Sequence, residues 1–192
     1  MFKSHKGEFG YLKKQPVRTG LFALGLILVS VAIFLTGYII HGDSKNILTV
    51  VAVLGVPPCA KFIVSFIMYM KAEKHTCPLA DKEAFEKYVE NSQISYAYDC
   101  YLTSYKVDYP FPVCFAYDSS LIAFSDDSKI DVKECRAHIE KYLKNDSIED
   151  VKIYIFTDFD KFIQRCESID FSKYESNDKD AKSLALIKSI SL

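Results

Sequence analysis

The stretch TGLFALGLILVSVAIFLTGYII runs from Thr19 to Ile40 without a charged side chain. At about 1.5 Å per residue, a helix over that stretch covers roughly 33 Å, enough to cross a hydrocarbon core near 30 Å. A cleaved leader fits it poorly. The apolar run is longer than a signal-peptide core, its basic leader extends as far as Arg18, and no A-x-A pattern follows. A second run, ILTVVAVLGVPPCAKFIVSFIMYM, occupies about Ile47 to Met70. Only HGDSKN (His41 to Asn46) separates the two, which leaves room for a tight connection and nothing else. The pair reads as a transmembrane helical hairpin.

Lys/Arg bias orients the hairpin. The leader holds Lys3, Lys6, Lys13, Lys14 and Arg18, the exit holds Lys71 and Lys74, and the connection holds only Lys45. Basic residues stay on the cytoplasmic side, so both termini are expected there. Small residues recur at Ala23, Ser30 and Gly37 on the first span and at Ala52, Gly55 and Cys59 on the second. In lipid, such stripes let backbones approach closely, within one hairpin or between copies in a homo-oligomer. Pro57 and Pro58 remove donors whose acceptors would be Val53 and Leu54, which predicts a kink or break. Lys61 then falls inside the apolar run, well before Met70. A lysine near the bilayer centre costs roughly 2.5–3.5 kcal/mol on insertion scales, so Lys61, Pro57 and Pro58 are the intramembrane candidates. They either serve a pore, transport or headgroup site, or Lys61 caps carbonyls freed by the prolines.

Charge and glycine divide the chain at the end of the hairpin. Residues 1–74 carry nine Lys/Arg against three Asp/Glu, and residues 75–192 carry fifteen against twenty-two, balances of +6 and -7 that give the net -1. All seven glycines lie at or before Gly55. Close approach to phosphate and left-handed turns normally need Gly, so the C-terminal region has no P-loop, Rossmann fingerprint or Gly-flanked nucleophile elbow. Three regions follow: a basic cytoplasmic tail at 1–18, the hairpin at 19–71 and an acidic cytoplasmic domain at 75–192.

That domain alternates helical and extended patterns. Pro78–Asn91 reads as a helix with Phe85, Tyr88 and Val89 inward. Ile94–Tyr105 reads as a half-buried strand with Ile94, Tyr96, Tyr98, Cys100 and Leu102 on one face. Pro112–Tyr117 and Leu121–Ser125 form a hairpin about Asp118-Ser119-Ser120. Ile130–Lys144 is an amphipathic helix, Val151–Thr157 a buried strand, and Asp158 caps a helix burying Phe159, Phe162, Ile163 and Cys166. A polar linker at 172–180 leads to Ser183–Leu192, helix or strand. The expected class is an α/β (α+β) domain in the order α-β-β-β-α-β-α behind a membrane α-helical hairpin.

Chemistry is sparse. The six cysteines include no C-x-x-C, and Cys135-x-x-His138 with His75 and Cys77 offers only two loose pairs for a metal. No cofactor or metal is expected. Phe156-Thr-Asp158-Phe-Asp160 is similar to the D-x-D of haloacid dehalogenase-type phosphatases, whose downstream motifs lack room in what remains before Leu192. CRAHIEKYL (135–143) followed by VKIYIFTD (151–158) resembles the helix and strand closing a restriction-endonuclease-like core, particularly nuclease-related domains. That fold needs a Glu/Asp-x-Lys on its third strand, where this chain reads Leu121-Ile122-Ala123-Phe124-Ser125; only Asp118 is near. The -7 balance also opposes nucleic acid.

GYLKKQPVRTG (10–20), AIFLTGY (32–38), LTVVAVLGVPPCAKFIVSFIMYMK (48–71) and the terminal SISL resemble a family of uncharacterised two-span membrane proteins from low-GC Gram-positive bacteria. The resemblance implies a bacterial cell-membrane protein with a cytoplasmic domain and carries over no site residues. The leading expectation is a non-catalytic, membrane-anchored domain that binds a protein partner, with the bilayer as its other partner. One alternative is an oligomeric channel or transporter subunit built on Lys61 and the Pro57-Pro58 break. The other is a diverged nuclease-like hydrolase using Asp118.

Overall fold

The computed structural model describes residues 5–90, 92–105, 107–174 and 177–192. Lys3, Asn91 and residues 175 and 176 of the polar linker lie outside the described residues. The chain divides into two compact units: residues 12–74, and His75–Leu192 together with the leader up to Tyr11.

The first unit holds two runs of helix long and apolar enough to cross a bilayer. Helix α1 (Tyr11–His41, 31 residues) reaches back through much of the basic leader, where a tail is expected. The second run is two helices, α2 (Ile47–Leu54) and α3 (Val56–Ala72), separated at Gly55. Asn46 caps α2 by accepting the Thr49 N–H at 2.9 Å. The small-residue stripes form the seam. Ala23, Gly37, Ala52 and Cys59 are buried while the larger aliphatic side chains point outward. A Cβ on Gly55 would stand 2.5 Å from Ser30 Oγ, and one on Gly20 would stand 3.1 Å from the Phe66 ring. A side chain at that first position would have to displace the Ser30 hydroxyl and crowd Ala52 O at 3.2 Å.

The second unit is a four-stranded sheet with helices on both faces. Its elements are α4 (Leu79–Val89), β1 (Ser95–Thr103), β2 (Asp108–Tyr117), β3 (Ser120–Phe124), α5 (Val132–Asn145), β4 (Lys152–Phe156), α6 (Phe159–Glu167) and α7 (Asp178–Ile190). The sheet order is β1-β2-β3-β4. The first three strands form an antiparallel meander, and β4 returns parallel to β3 after the α5 crossover. Helices α5 and α7 cover one face through Cys135, Ile139, Leu184 and Ile187. Helices α4 and α6 cover the other through Phe85, Val89, Phe162 and Cys166. Phe85 and Phe115 lie 5.5 Å apart, and Phe115 meets Phe162 edge-on at 5.9 Å. Such pairs add to the area each ring removes from water.

Three strand expectations need correction. First, β1 is buried on both faces from Ala97 to Leu102, because helices lie on either side of it. Second, its side chains do not keep one alternation. Ile94 and Tyr98 join the α4/α6 layer, whereas Cys100 and Leu102 join the α5/α7 layer. The switch falls at Asp99, whose φ is +53°. The register pairs Tyr98 with Val113 and Cys100 with Phe111, so Asp99 stands opposite Pro112, which has no N–H for the ladder. Strand β2 switches at the same level, with Phe111 in one layer and Val113 in the other. Third, β4 is an edge strand in which only Ile153 is buried, since no strand pairs beyond it among the described residues.

Between His75 and Leu192 the left-handed positions are taken without glycine. Asp99, Asp118, Ser119, Ser147 and Asp150 take positive φ, and short polar side chains tolerate that region best. Asp118-Ser119 makes the β2–β3 turn. Buried Asp180 on α7 holds it, accepting the Ser119 N–H at 2.9 Å through Oδ1 and the Tyr174 hydroxyl through Oδ2.

The opposite edge of the sheet is covered by both ends of the chain. Gly7 O accepts the Tyr98 N–H at 2.9 Å, and Ser191 Oγ accepts the Tyr101 N–H at 2.8 Å. Leu192 N–H donates to Tyr101 O at 2.9 Å, and Lys6 Nζ donates to Ser191 O at 2.6 Å, tying leader to tail. An edge paired in this way offers no ladder to another chain.

Candidate functional site

In the hairpin, the prolines stand in the first turn of α3, where a missing N–H leaves no helical bond unmade. The interruption therefore falls just before them, at Gly55, whose N–H turns to Ala52 O at 3.1 Å. The Gly55 carbonyl accepts from Cys59 Sγ at 3.2 Å. Lys61 is exposed. Successive helical residues are about 100° apart, so Lys61 lies well off the packed stripe of Gly55, Cys59, Phe62 and Phe66. Phe62 stacks on Phe22 of α1 at 5.8 Å.

In the globular unit, the sequence points to Asp118 and Asp158, and the fold keeps them apart. Asp118 precedes β3 and Asp158 follows β4; these strands are parallel, so the two acids lie at opposite ends of the sheet. The length of a strand separates them, at least about 16 Å. Asp158 caps α6, its carboxylate accepting the Asp160 backbone N–H at 3.0 Å, so the first acid of the D-x-D serves the helix end. Asp99 is buried in β1 and accepts the Cys77 N–H at 2.8 Å. The Cys77 thiol is pushed up to about 12, by burial first and by Asp99 next. That thiol stays protonated and is a poor nucleophile. Cys135 and Cys166 are likewise pushed to about 12 by burial. Among the described residues, no three His, Cys, Asp or Glu side chains gather as a metal site.

A polar group that the sequence does not single out forms at the C-terminal end of β3. His75 Nδ1 and Asp126 Oδ1 are 2.8 Å apart, and the His75 ring lies 5.9 Å from Tyr101. Tyr101 donates its hydroxyl to Asp108 at 3.1 Å. The pKa of the Asp81 carboxyl is raised, by burial and then by the charge of Asp126. The cluster joins the segment ahead of α4 to the loop after β3.

A concavity lies elsewhere, between the β1–β2 connection and α5. It is an open groove of about 540 Å³, lined by Tyr105, Tyr109, Glu134, His138, Lys141 and Tyr142. His138 is held by two rings, 5.4 Å from Tyr109 and 5.1 Å from Tyr142. Burial, and then the Lys141 charge, lower its pKa, so the imidazole is neutral at pH 7. Tyr105 is fully exposed. In sequence, His138 reads only as half of a Cys135–His138 metal pair. Cys135, one helical turn earlier, instead points into the core. His138 and Tyr142 are one turn apart on α5, but the β1–β2 connection that completes the groove is not adjacent in sequence.

No family model matches this chain, and no curated protein or solved structure matches it either.

Proposed function

We propose that this protein is a membrane-anchored, non-catalytic module that binds a protein partner. Its hairpin crosses the cell membrane twice with both termini in the cytoplasm, as in the two-span bacterial family it resembles. Support for the anchor comes from two apolar helical runs whose packed seam is made of small residues. The observation that carries the binding reading is the groove. Tyr105, Tyr109, Tyr142 and a neutral His138 line it with amphipathic rings, beside Glu134 and Lys141. Tyrosine is enriched in protein interfaces and at their central contacts. Asp118 and Asp158 stand at opposite ends of the sheet, and Asp158 is taken up by its helix cap, which favours binding over hydrolysis.

The test is affinity purification of the full chain from solubilised membranes, in parallel with Tyr105→Ser and His138→Glu. A specific companion should be recovered with the parent protein and lost with either variant, each weakening binding about thirtyfold or more if these rings are central contacts. Recovery of this chain alone, or a companion indifferent to both substitutions, contradicts the proposal.

A further inference from the structure

We infer that Lys61 receives a second membrane-spanning helix, contributed by a different protein and carrying a carboxylate near its middle. The inference rests on the proposal that the hairpin crosses the membrane; it does not depend on the groove.

The first observation is direction. The seam with α1 uses Gly55, Cys59, Phe62 and Phe66, and Lys61 lies on the far side of α3 with exposed Pro57 and Val64. Lys61 is exposed and lies roughly 130° around the helix from the mean direction of that seam. The second is depth. Lys61 stands well inside the run from Ile47 to Met70. Its position is roughly 21 Å and 14 Å from the two ends of that run. Helical side chains lean toward the helix N-terminus, which carries this ammonium away from the nearer end. A lipid headgroup at either surface is therefore poorly placed to meet it.

The third is charge complementarity. Helices α1, α2 and α3 contain no Asp or Glu. A second copy of this chain thus has no carboxylate at the required depth. The counter-charge has to come from another polypeptide, on a helix packing against the face that Pro57, Lys61 and Val64 share. An ammonium and a carboxylate meeting there desolvate together, and the pair selects its partner because either charge alone is costly in lipid.

The test uses the full chain in phosphatidylcholine vesicles with synthetic Leu/Ala host helices carrying a single central Glu, Gln or Leu. Association is read by energy transfer from a donor on the protein's N terminus to an acceptor on the host helix. The Glu host should associate about tenfold more tightly than the Leu host, the order expected of one strong interhelical polar contact. Lys61→Leu should reduce it to the Leu-host level, and Lys61→Glu should transfer the preference to a host with a central Lys. Equal association of all hosts overturns the inference, as does a Glu preference that survives Lys61→Leu. So does a preference erased by adding phosphatidylglycerol, which would assign the charge to lipid. Failure of the chain to float with vesicles overturns the membrane reading itself, a separate result.

Discussion

The interior of the hairpin and the interior of the globular unit are built from opposite residues. Between Thr19 and Met70 the hairpin buries Ala23, Gly37, Ala52 and Cys59, leaves most Leu, Ile and Val side chains outside, and sets Phe22, Phe62 and Phe66 at the seam. The globular unit fully buries Phe85, Phe111, Phe115 and Phe162. In water, large side chains gain most by leaving the solvent, so they fill the core. In lipid they gain nothing by leaving, and what remains is the contact of closely approaching backbones, which large side chains prevent. The two interiors fit the proposal that the hairpin lies in lipid and the globular unit in water.

The comparison can be broken by substitutions that exchange the rules. Phe162→Ala should destabilise the globular unit by about 3–5 kcal/mol, through lost burial and the cavity left among Phe85, Phe115 and Phe156. Denaturant titration of the full chain would read it, with the hairpin helix content unchanged. Gly55→Val should weaken helix pairing by about 1–3 kcal/mol, since its branched side chain would crowd Ser30 of the facing helix. Energy transfer between labelled spans in vesicles would measure the loss. A neutral Gly55→Val would remove the seam from the account. Asp180→Ala should cost the globular unit about 1–3 kcal/mol, because the Ser119 amide and Tyr174 hydroxyl lose their acceptor.

Alkaline pH sharpens the contrast further. Cys77, Cys135 and Cys166 are raised from 9.0 to about 12 in the fold. Unfolded thiols ionise first, so stability is full below about pH 9 and declines progressively toward 12. Denaturation midpoints measured through the alkaline range should fall accordingly (a flat profile would mean these thiols are not buried), and maleimide should modify these cysteines only after unfolding. The smallest effect is expected at the surface. Lys182→Ala breaks the 2.6 Å pair with Asp178 and should change stability by no more than about 0.5 kcal/mol.

Much of the fold is legible in sequence because it follows from local pattern. The hairpin spans, the Asp158 cap and the β2–β3 turn each depend on residues a few positions apart. What escapes is set across the sheet. Ile94 to Leu102 alternates cleanly in sequence, yet the strand changes face at Asp99, opposite a proline on the neighbouring strand. The coverage of β1 by Gly7 and Ser191 joins the two ends of the chain, and no periodicity announces that. The β4 run Lys152–Phe156 is apolar enough for a central strand, and only the sheet order makes it an edge. Among the candidate residues, Asp118 and Asp158 are visible as acids beside strands, but their separation is a property of the parallel β3–β4 pairing. The aromatic groove needs the β1–β2 connection and α5 together, and β2 and β3 lie between them in the chain.

Impermeant maleimide labelling of intact cells carrying single introduced cysteines tests the anchored hairpin most directly. Ser44→Cys, in the connection between the spans, should label from outside. Ser168→Cys, exposed after α6, should label only once the cells are opened. Labelling of Ser168→Cys in intact cells, or recovery of the protein free of membranes, would contradict the arrangement.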